Sequence, residues 1–531
     1  MTDAAKRGGA RRQAGPRRGR SSAGAHTAGA GSRSPGRAPG RVAVVGAGLG
    51  GLSAAIHLRA AGWEVDVFEK QEGPGGKAYT NSVQGYRFDT GPSLFTMPEV
   101  FDELFSALGE RREDHIAVTS LETICNYFWP DGTRFQTLAD HDRMAREMHR
   151  VFGEDLRNLR AYLAYVARIY DIAGPIFLEN SLHEWETLAA PGFWSSLRRI
   201  FGIDPFRTMD QANRSFFTAP HLRQLFNRYA TYNGSSPYKT PATLNIIQHV
   251  EYNGGAYAVD DGIYTIPAKI AAVAERHGVV FHYGTRVDDI LTDSVTRRVT
   301  GLRVEGEEQP YNAVVSNADV LTTYDRLLKQ SDAPAAKRYR RLEPSSSGFV
   351  FYWGINRTFP ELDLHNIFFS SDYPREFGDI FDRRSVPREP TVYVNISSKV
   401  TPGDAPAGGE NWFVLVNVPY HTDQDWETEG KFLRDRILRS VSSMLGADVA
   451  PHIQVEDTLT PADIEAKTDS TGGSLYGISS NSRMAAFSRH PNRSRRYPGL
   501  YFVGGSAHPG GGMPLAVLSG RLAARLLTRH L

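Results

Sequence analysis

Three glycines and one acid carry the first recognisable chemistry in the chain. Gly46, Gly48 and Gly51 stand in G-A-G-L-G-G, a complete G-x-G-x-x-G motif. Gly46 permits a tight turn, Gly48 lets bare backbone approach a pyrophosphate, and Gly51 lets a helix pack closely on a strand. Glu69 follows 18 residues after Gly51, at the end of the next apolar run. Its carboxylate would accept hydrogen bonds from ribose hydroxyls and repel a 2′-phosphate. The helix opening at the turn offers free N–H groups and a partial positive charge to phosphates. Together these parts call for a dinucleotide. A glycine turn with no ligand is the alternative, and it would need neither the acid nor the helix.

Two further glycine clusters extend the pattern. GPGGKAYT places Gly75, Gly76 and Lys77 just after the second strand, and FDTGPSLF places Gly91 and Pro92 in another close-approach turn. A glycine pair beside a cation can hold a second stretch of a long dinucleotide. At the far end of the chain, GLYFVGGSAHPGGGMPLAVLSG reads strand, glycine loop, helix. Gly504 and Gly505 turn the backbone, Gly510 to Gly512 leave it bare, and Met513–Pro514 open a helix running to about Leu527. This succession resembles the flavoprotein superfamily that includes amine oxidases, and it argues for FAD. The last helix would then stabilise negative charge on a reduced flavin ring. No second complete fingerprint offers a separate NAD(P) site.

The passages VAVVGAGLGGLSAA, GPSLFTMPEVFDELF, RYATYNGSSPYKTPATLNIIQHVE and GGSAHPGGGMP together resemble bacterial phytoene-type carotenoid desaturases, from about Arg41 to Leu531. The resemblance implies an α/β fold, with an FAD-binding Rossmann-like domain of amine-oxidase type and an interleaved α+β substrate domain. It implies that Val287 approaches the adenine, that Gly505 and Ser506 lie along the ribityl chain, and that Met513 lies near the isoalloxazine. Ser506 departs from related flavoproteins, many of which carry an acid there. The implied activity is FAD-dependent desaturation of an acyclic carotenoid, with hydride passing to flavin. The substrate would be phytoene or a later intermediate such as a 1-hydroxycarotenoid, and the loops GGSAHPGGGMP and GPSLFTMPE lean toward the later-step members. Oxygen and a membrane quinone are both open as electron acceptor. A saturase or isomerase on the same scaffold, and a non-catalytic isoprenoid-binding escort, are the competing readings. No residue is assigned as catalytic. His508 is read as fixing the glycine loop rather than taking a proton, and Asp155 and Arg160 as a solvated helix face.

These sites need elements to hold them. Val42–Val45, a helix over Leu52–Ala61 and Val65–Phe68 make a βαβ unit, which should cross over right-handed. Residues 98–246 read as mostly helical, with loops at WPDGTRF and GSSPYKTP. GIYTIPAKIAAVAERHGVVFHYGTRVDDI reads helix, strand, strand, and GLRVEGEEQPYNAVVSNADV reads as a hairpin and a return strand. Residues 345–465 alternate short strands with a helix near Leu433–Met444. The expected division assigns 41–97, 247–330 and 466–531 to the flavin, and 98–246 and 331–465 to substrate and membrane.

Bulk properties exclude several classes. Residues 1–40 hold nine Lys and Arg against Asp3, a net +8, which leaves −6 on the rest within a total of +2. Rich in Gly, Ser, Pro and Arg, that segment reads as disordered. The remainder is mildly acidic and does not suit nucleic acid. One cysteine, Cys125, forbids an intrachain disulfide and leaves no Cys-based metal site. No apolar run is long enough to cross a bilayer. PGFWSSLRRIFGIDPF sets Phe193, Trp194, Leu197, Ile200, Phe201, Ile203 and Phe206 beside Arg198 and Arg199. It reads either as an interfacial element or as a core helix. The first reading gives a cytoplasmic protein bound peripherally to a membrane surface.

Overall fold

The computed structural model describes residues 40–178, 180, 181, 184, 200–483 and 485–531, the last two stretches without the side chains of 200, 201, 486 and 487. The basic segment before Gly40 and most of the aromatic–arginine stretch lie outside the described residues. Of that stretch, Ile203 is buried and Phe206 is 60% exposed.

Pro39–Leu531 pack as one compact unit. Five short strands, β1 Arg41–Val45, β2 Glu64–Phe68, β3 Val280–His282, β4 Ala313–Ser316 and β5 Leu500–Phe502, form one sheet. Read across, their order is β3-β2-β1-β4-β5, and every pairing is parallel. Such a sheet is covered on both faces, so its strands are continuous apolar runs. In β1, Val42 to Val44 are fully buried. The order reverses between β1 and β4, and a crevice opens beyond the strand ends at that switch point.

Helix α1, Leu49–Ala60, and helix α2, Met513–His530, lie against each other although one begins the unit and the other ends it. Contact is close because Gly520 has no side chain. A Cβ there would sit 2.5 Å from the Gly50 carbonyl and 2.6 Å from the Ala54 nitrogen. The Ser53 hydroxyl donates to the Val517 carbonyl at 2.6 Å across the same seam. Gly520→Val should destabilise the chain by about 1–3 kcal/mol through overpacking. Urea unfolding measures it, and an unchanged midpoint would contradict this account of the seam.

A second sheet has seven strands. They run Ile453–Leu459, Ser347–Ile355, Glu410–Val418, Val392–Asn395, His365–Phe368, Thr123–Phe128 and Arg134–Leu138. All pairs are antiparallel except the parallel one between His365–Phe368 and Thr123–Phe128. Helix Trp426–Leu445 packs its Leu433, Ile437 and Val441 against Trp353 and Trp412 of this sheet. Helix Leu156–Phe177 and its neighbours pack over the flank that carries Ile124, Tyr127 and Ile367.

The expectation of a mostly helical stretch from residue 98 fails at this flank. WPDGTRF is the turn of a hairpin joining the last two strands of the sheet, closed by the Gly132 amide on the Trp129 carbonyl at 3.0 Å. The strand before the turn is nearly all buried, so it lacks the alternation that marks a strand in sequence. The other expected elements form where they were read. Thr265–Arg276 is helical, Val299–Val304 and Glu307–Pro310 form the hairpin, and β4 is the return strand. No described helix is long and apolar enough to cross a membrane.

Candidate active site

The first glycine turn lies at the switch point. Gly46 has φ +97°, a left-handed conformation natural to glycine. Its amide donates to the Phe68 carbonyl at 2.7 Å, tying β1 to β2. A Cβ on Gly51 would stand 2.1 Å from the Gly46 carbonyl. The start of α1 has no capping side chain and no acid in its first turn, which leaves its N–H groups open to an anion.

Glu69 is buried, and its carboxylate grips the turn itself. One oxygen accepts the Ala47 amide at 2.7 Å and the other the Gln71 amide at 2.9 Å. A cavity of about 410 Å³ opens here, lined among others by Gly46, Gly48, Glu69, Gly76 and Val287. Gly75 joins the turn through its amide on the Ala47 carbonyl at 2.9 Å.

Asn317, the residue after β4, went unnoticed in sequence. Its amide nitrogen would lie 2.6 Å from a Cβ on Gly48, and its amide oxygen 2.7 Å from one on Gly50. The same oxygen would lie 2.6 Å from a Cβ on Gly504. A Cβ on Gly50 would also strike the Gly504 nitrogen at 2.7 Å. The opening and closing glycine turns therefore touch, with Asn317 wedged between them. The available signal was its position directly after a buried return strand.

A second cavity, of about 550 Å³, shares Gln71, Gly76, Lys467 and Thr468 with the first, so the two meet. Gly76, Lys77, Gly91, Pro92 and Met513 line it, beside Tyr352, Phe413 and Leu415 of the large sheet. Gly91 is bare by necessity, since a Cβ would sit 2.0 Å from the Lys77 carbonyl. Helix α2 starts at this cavity with no capping side chain and no acid in its first turn.

Lys77 lines the second cavity with its ammonium engaged by backbone. Its ammonium donates to the Ser474 and Leu475 carbonyls at 2.8 and 3.0 Å. Burial pulls its pKa down from 10.5 to about 8. Because the folded value is the lower one, the cost of burying the charge is fully present below pH 8. That cost disappears as pH rises from about 8 to 10.5. The flavin-free chain should therefore gain on the order of 3 kcal/mol relative to Lys77→Met across that window. Paired urea titrations at the two ends measure it, and parallel pH profiles would count against it.

Gly505 and Ser506 lie outside both linings. The Ser506 hydroxyl accepts the Val320 amide at 3.2 Å, and its carbonyl accepts the Tyr339 hydroxyl at 2.8 Å. His508 lies outside them as well. Its ring Nε2 is 2.9 Å from the Asn180 carbonyl, its amide donates to His490 at 2.9 Å, and its carbonyl accepts from Asn492 at 2.7 Å. These contacts fix the loop. Asp155 caps helix Leu156–Phe177, and Arg160 pairs with Asp142 at the surface. Tyr232 lines the second cavity, Tyr229 is buried against it, and Tyr238 packs edge-on to Phe377.

Bare backbone at Gly46, Gly48, Gly76 and Gly91, two uncapped helix starts and two joined cavities fit an extended dinucleotide whose ring end reaches an apolar space. That layout defines an FAD-dependent oxidoreductase. The family model described as flavin containing amine oxidoreductase matches residues 49–528. The chain belongs to that family, among its carotenoid desaturase-type flavoproteins. It is 42% identical over 484 residues to a 1-hydroxycarotenoid 3,4-desaturase of Flavobacterium sp. strain P99-3, covering 91% of this chain and 98% of that one. It is 35% identical to a 4,4'-diapolycopene oxygenase of Methylomonas sp, over 91% of this chain and 97% of that one. Among solved structures, an oxidoreductase from Methanosarcina mazei superposes with TM-score 0.60 at 16% identity, covering 90% of this chain and 98% of that one. Wild-type putrescine oxidase bound to putrescine superposes with TM-score 0.59 at 15% identity, covering 92% and 100%. These two speak for the fold.

Proposed function

We propose that this chain desaturates an acyclic carotenoid, removing two hydrogens from adjacent carbons. The observation that carries the reading is the second cavity, where the start of α2 and the Gly91–Pro92 turn face the aromatic and aliphatic wall of the large sheet. Homology to proteins named for carotenoid substrates supports it.

Gly46, Gly48, Gly51, Glu69 and Val287 would hold the adenosine half of FAD, and Gly76, Gly91, Pro92 and Met513 the half that reaches the second cavity. Bound FAD supplies a two-electron oxidant that accepts hydride. The chain's own contribution is placement and dryness. Tyr352, Phe413 and Leu415 hold an uncharged polyene by contact alone and exclude water beside it. The α2 start offers unpaired N–H groups where negative charge develops. A polyene delocalises the cation left by hydride loss, so the remaining proton needs only a weak base, and no dyad is invoked. In this reading, segments 41–97, 247–330 and 466–531 serve the cofactor, and 98–246 and 331–465 serve the substrate. The substrate arrives from a membrane surface, and oxygen or a quinone reoxidises the enzyme.

The test supplies purified chain with FAD and liposomes loaded with single acyclic carotenes, with and without a 1-hydroxyl. Gain of conjugation, seen as a red-shifted polyene spectrum, is the expected result. Loss or rearrangement of conjugation would indicate a saturase or isomerase instead. A chain that binds polyene but carries no flavin absorption would indicate an escort.

A further inference from the structure

One flank of the substrate cavity is not apolar. Arg228, Tyr232, Glu251, His365, Tyr373 and Glu376 all line it, and all but the half-buried Tyr232 are less than a tenth exposed. A cavity built only to hold a hydrocarbon gains nothing from buried charge, whose desolvation is costly.

Three of these residues carry a buried atom with no hydrogen-bond partner among the described residues: Nε of Arg228, Nε2 of His365 and the hydroxyl of Tyr373. Native proteins satisfy nearly all such atoms. The arginine nitrogen is a donor, and so is the histidine nitrogen when Nδ1 accepts. Arg228 donates through Nη2 to the Tyr127 hydroxyl at 3.0 Å and lies over the rings of Tyr229 and Tyr232, which leaves its Nε–H over. For His365, the Asn395 side-chain nitrogen stands 3.2 Å from Nδ1. That nitrogen can only donate, and it also donates to the Leu364 carbonyl at 3.0 Å, which fixes the amide's orientation. The Tyr393 hydroxyl, 2.8 Å from Nδ1, can donate to it as well, and in the tautomer where Nδ1 accepts these contacts the proton sits on Nε2. Burial, with Arg228 nearby, pushes the ring's pKa down to about 3, so it is neutral.

The acceptors on this flank are already engaged. Glu251 takes the hydroxyls of Tyr229 and Tyr232 at 2.5 and 2.7 Å. Glu376 takes the hydroxyls of Ser370 and Thr391 and the Thr391 amide at 2.7, 2.7 and 2.9 Å. Surplus donors call for an oxygen from outside the chain. The two glutamates disfavour an anion there, so the oxygen belongs to a neutral group.

We propose that the Arg228–His365–Tyr373 flank binds a neutral oxygen, such as a hydroxyl, at the terminus of an otherwise apolar polyene. This rests on the carotenoid reading and narrows its substrate to an oxygenated one.

The test compares two acyclic carotenes of equal length and conjugation, one with a terminal hydroxyl and one without, on the flavin-loaded chain. The hydroxylated substrate should have a kcat/KM at least about 100-fold higher, because a site with unpaired donors rejects the analogue that cannot fill them. Tyr373→Phe should narrow that ratio about tenfold, mainly through KM, and Arg228→Met should narrow it further. An unchanged flavin spectrum checks that each variant is folded, and Tyr373→Phe removes a single oxygen should the arginine variant fail. Equal kcat/KM for the two substrates, or variants that slow both by the same factor, overturns the proposal and means that water alone fills the flank. Retention of each polyene by the protein under anaerobic conditions is measured in parallel. Preferential retention of the hydroxylated chain, with no new double bonds once oxygen and a quinone are supplied, upholds this site while defeating the desaturase reading. Equal desaturation of both does the reverse.

Discussion

Gly51→Ala should strip the protein of flavin, with FAD affinity falling about 100-fold, the upper end of what overpacking costs. The added carbon would lie 2.1 Å from the Gly46 carbonyl. Neither side can yield cheaply. Gly46 is tied to β2 by its own amide, and a new methyl would also come within 3.2 Å of Val44 and 3.3 Å of Asn317. Helix α1 must therefore move off β1, and its free N–H groups move with it. Overpacking of this kind costs about 1–3 kcal/mol, and about 1.4 kcal/mol is tenfold in affinity. Fluorescence titration of the flavin-free chain reads the effect directly. Gly403→Ala is the control, because nothing lies within 4 Å of a Cβ there. Full affinity in the Gly51 variant would falsify the placement of the cofactor at this turn.

Glu69→Leu is expected to have the next largest effect, about 30-fold or more on FAD affinity. The carboxylate accepts two backbone amides, from Ala47 in the glycine turn and Gln71 beyond β2. Removing it leaves the buried Ala47 N–H without an acceptor, at about 1–3 kcal/mol, and the part-buried Gln71 N–H at less. The turn then loses its clamp just where the first cavity needs a rigid wall. Glu69→Gln keeps one acceptor oxygen and should fall between wild type and leucine. Equal affinity in all three proteins would mean that the glutamate serves neither the turn nor the ligand.

Much of the candidate cofactor site was legible because it depends on local backbone needs. A tight turn needs Gly46, close helix packing needs Gly51, and Gly91 faces the Lys77 carbonyl at a distance that excludes any side chain. Such demands appear in sequence as glycines at fixed spacing, and short buried strands appear as apolar runs beside them. The role of Glu69 was only half legible. Its position after β2 suggested a sugar contact, and the folded chain adds that its carboxylate accepts two backbone amides.

The rest was decided by tertiary structure. Nothing local to SNADV says that Asn317 will sit between Gly48, Gly50 and Gly504, because that contact exists only once β4 and β5 pair beside β1. The strand Thr123–Phe128 was hidden for a related reason. Buried almost throughout, it shows no alternation, and its parallel partner lies more than 230 residues away. The polar flank gathers Arg228, Glu251, His365 and Tyr373 from separate segments, and each alone reads as an ordinary residue. What the order of residues determined by itself was where backbone must be bare and where it must turn. Which distant side chains share a cavity followed from strand order and helix packing, since hydrophobic burial is non-directional and leaves no mark on the spacing of the residues it brings together.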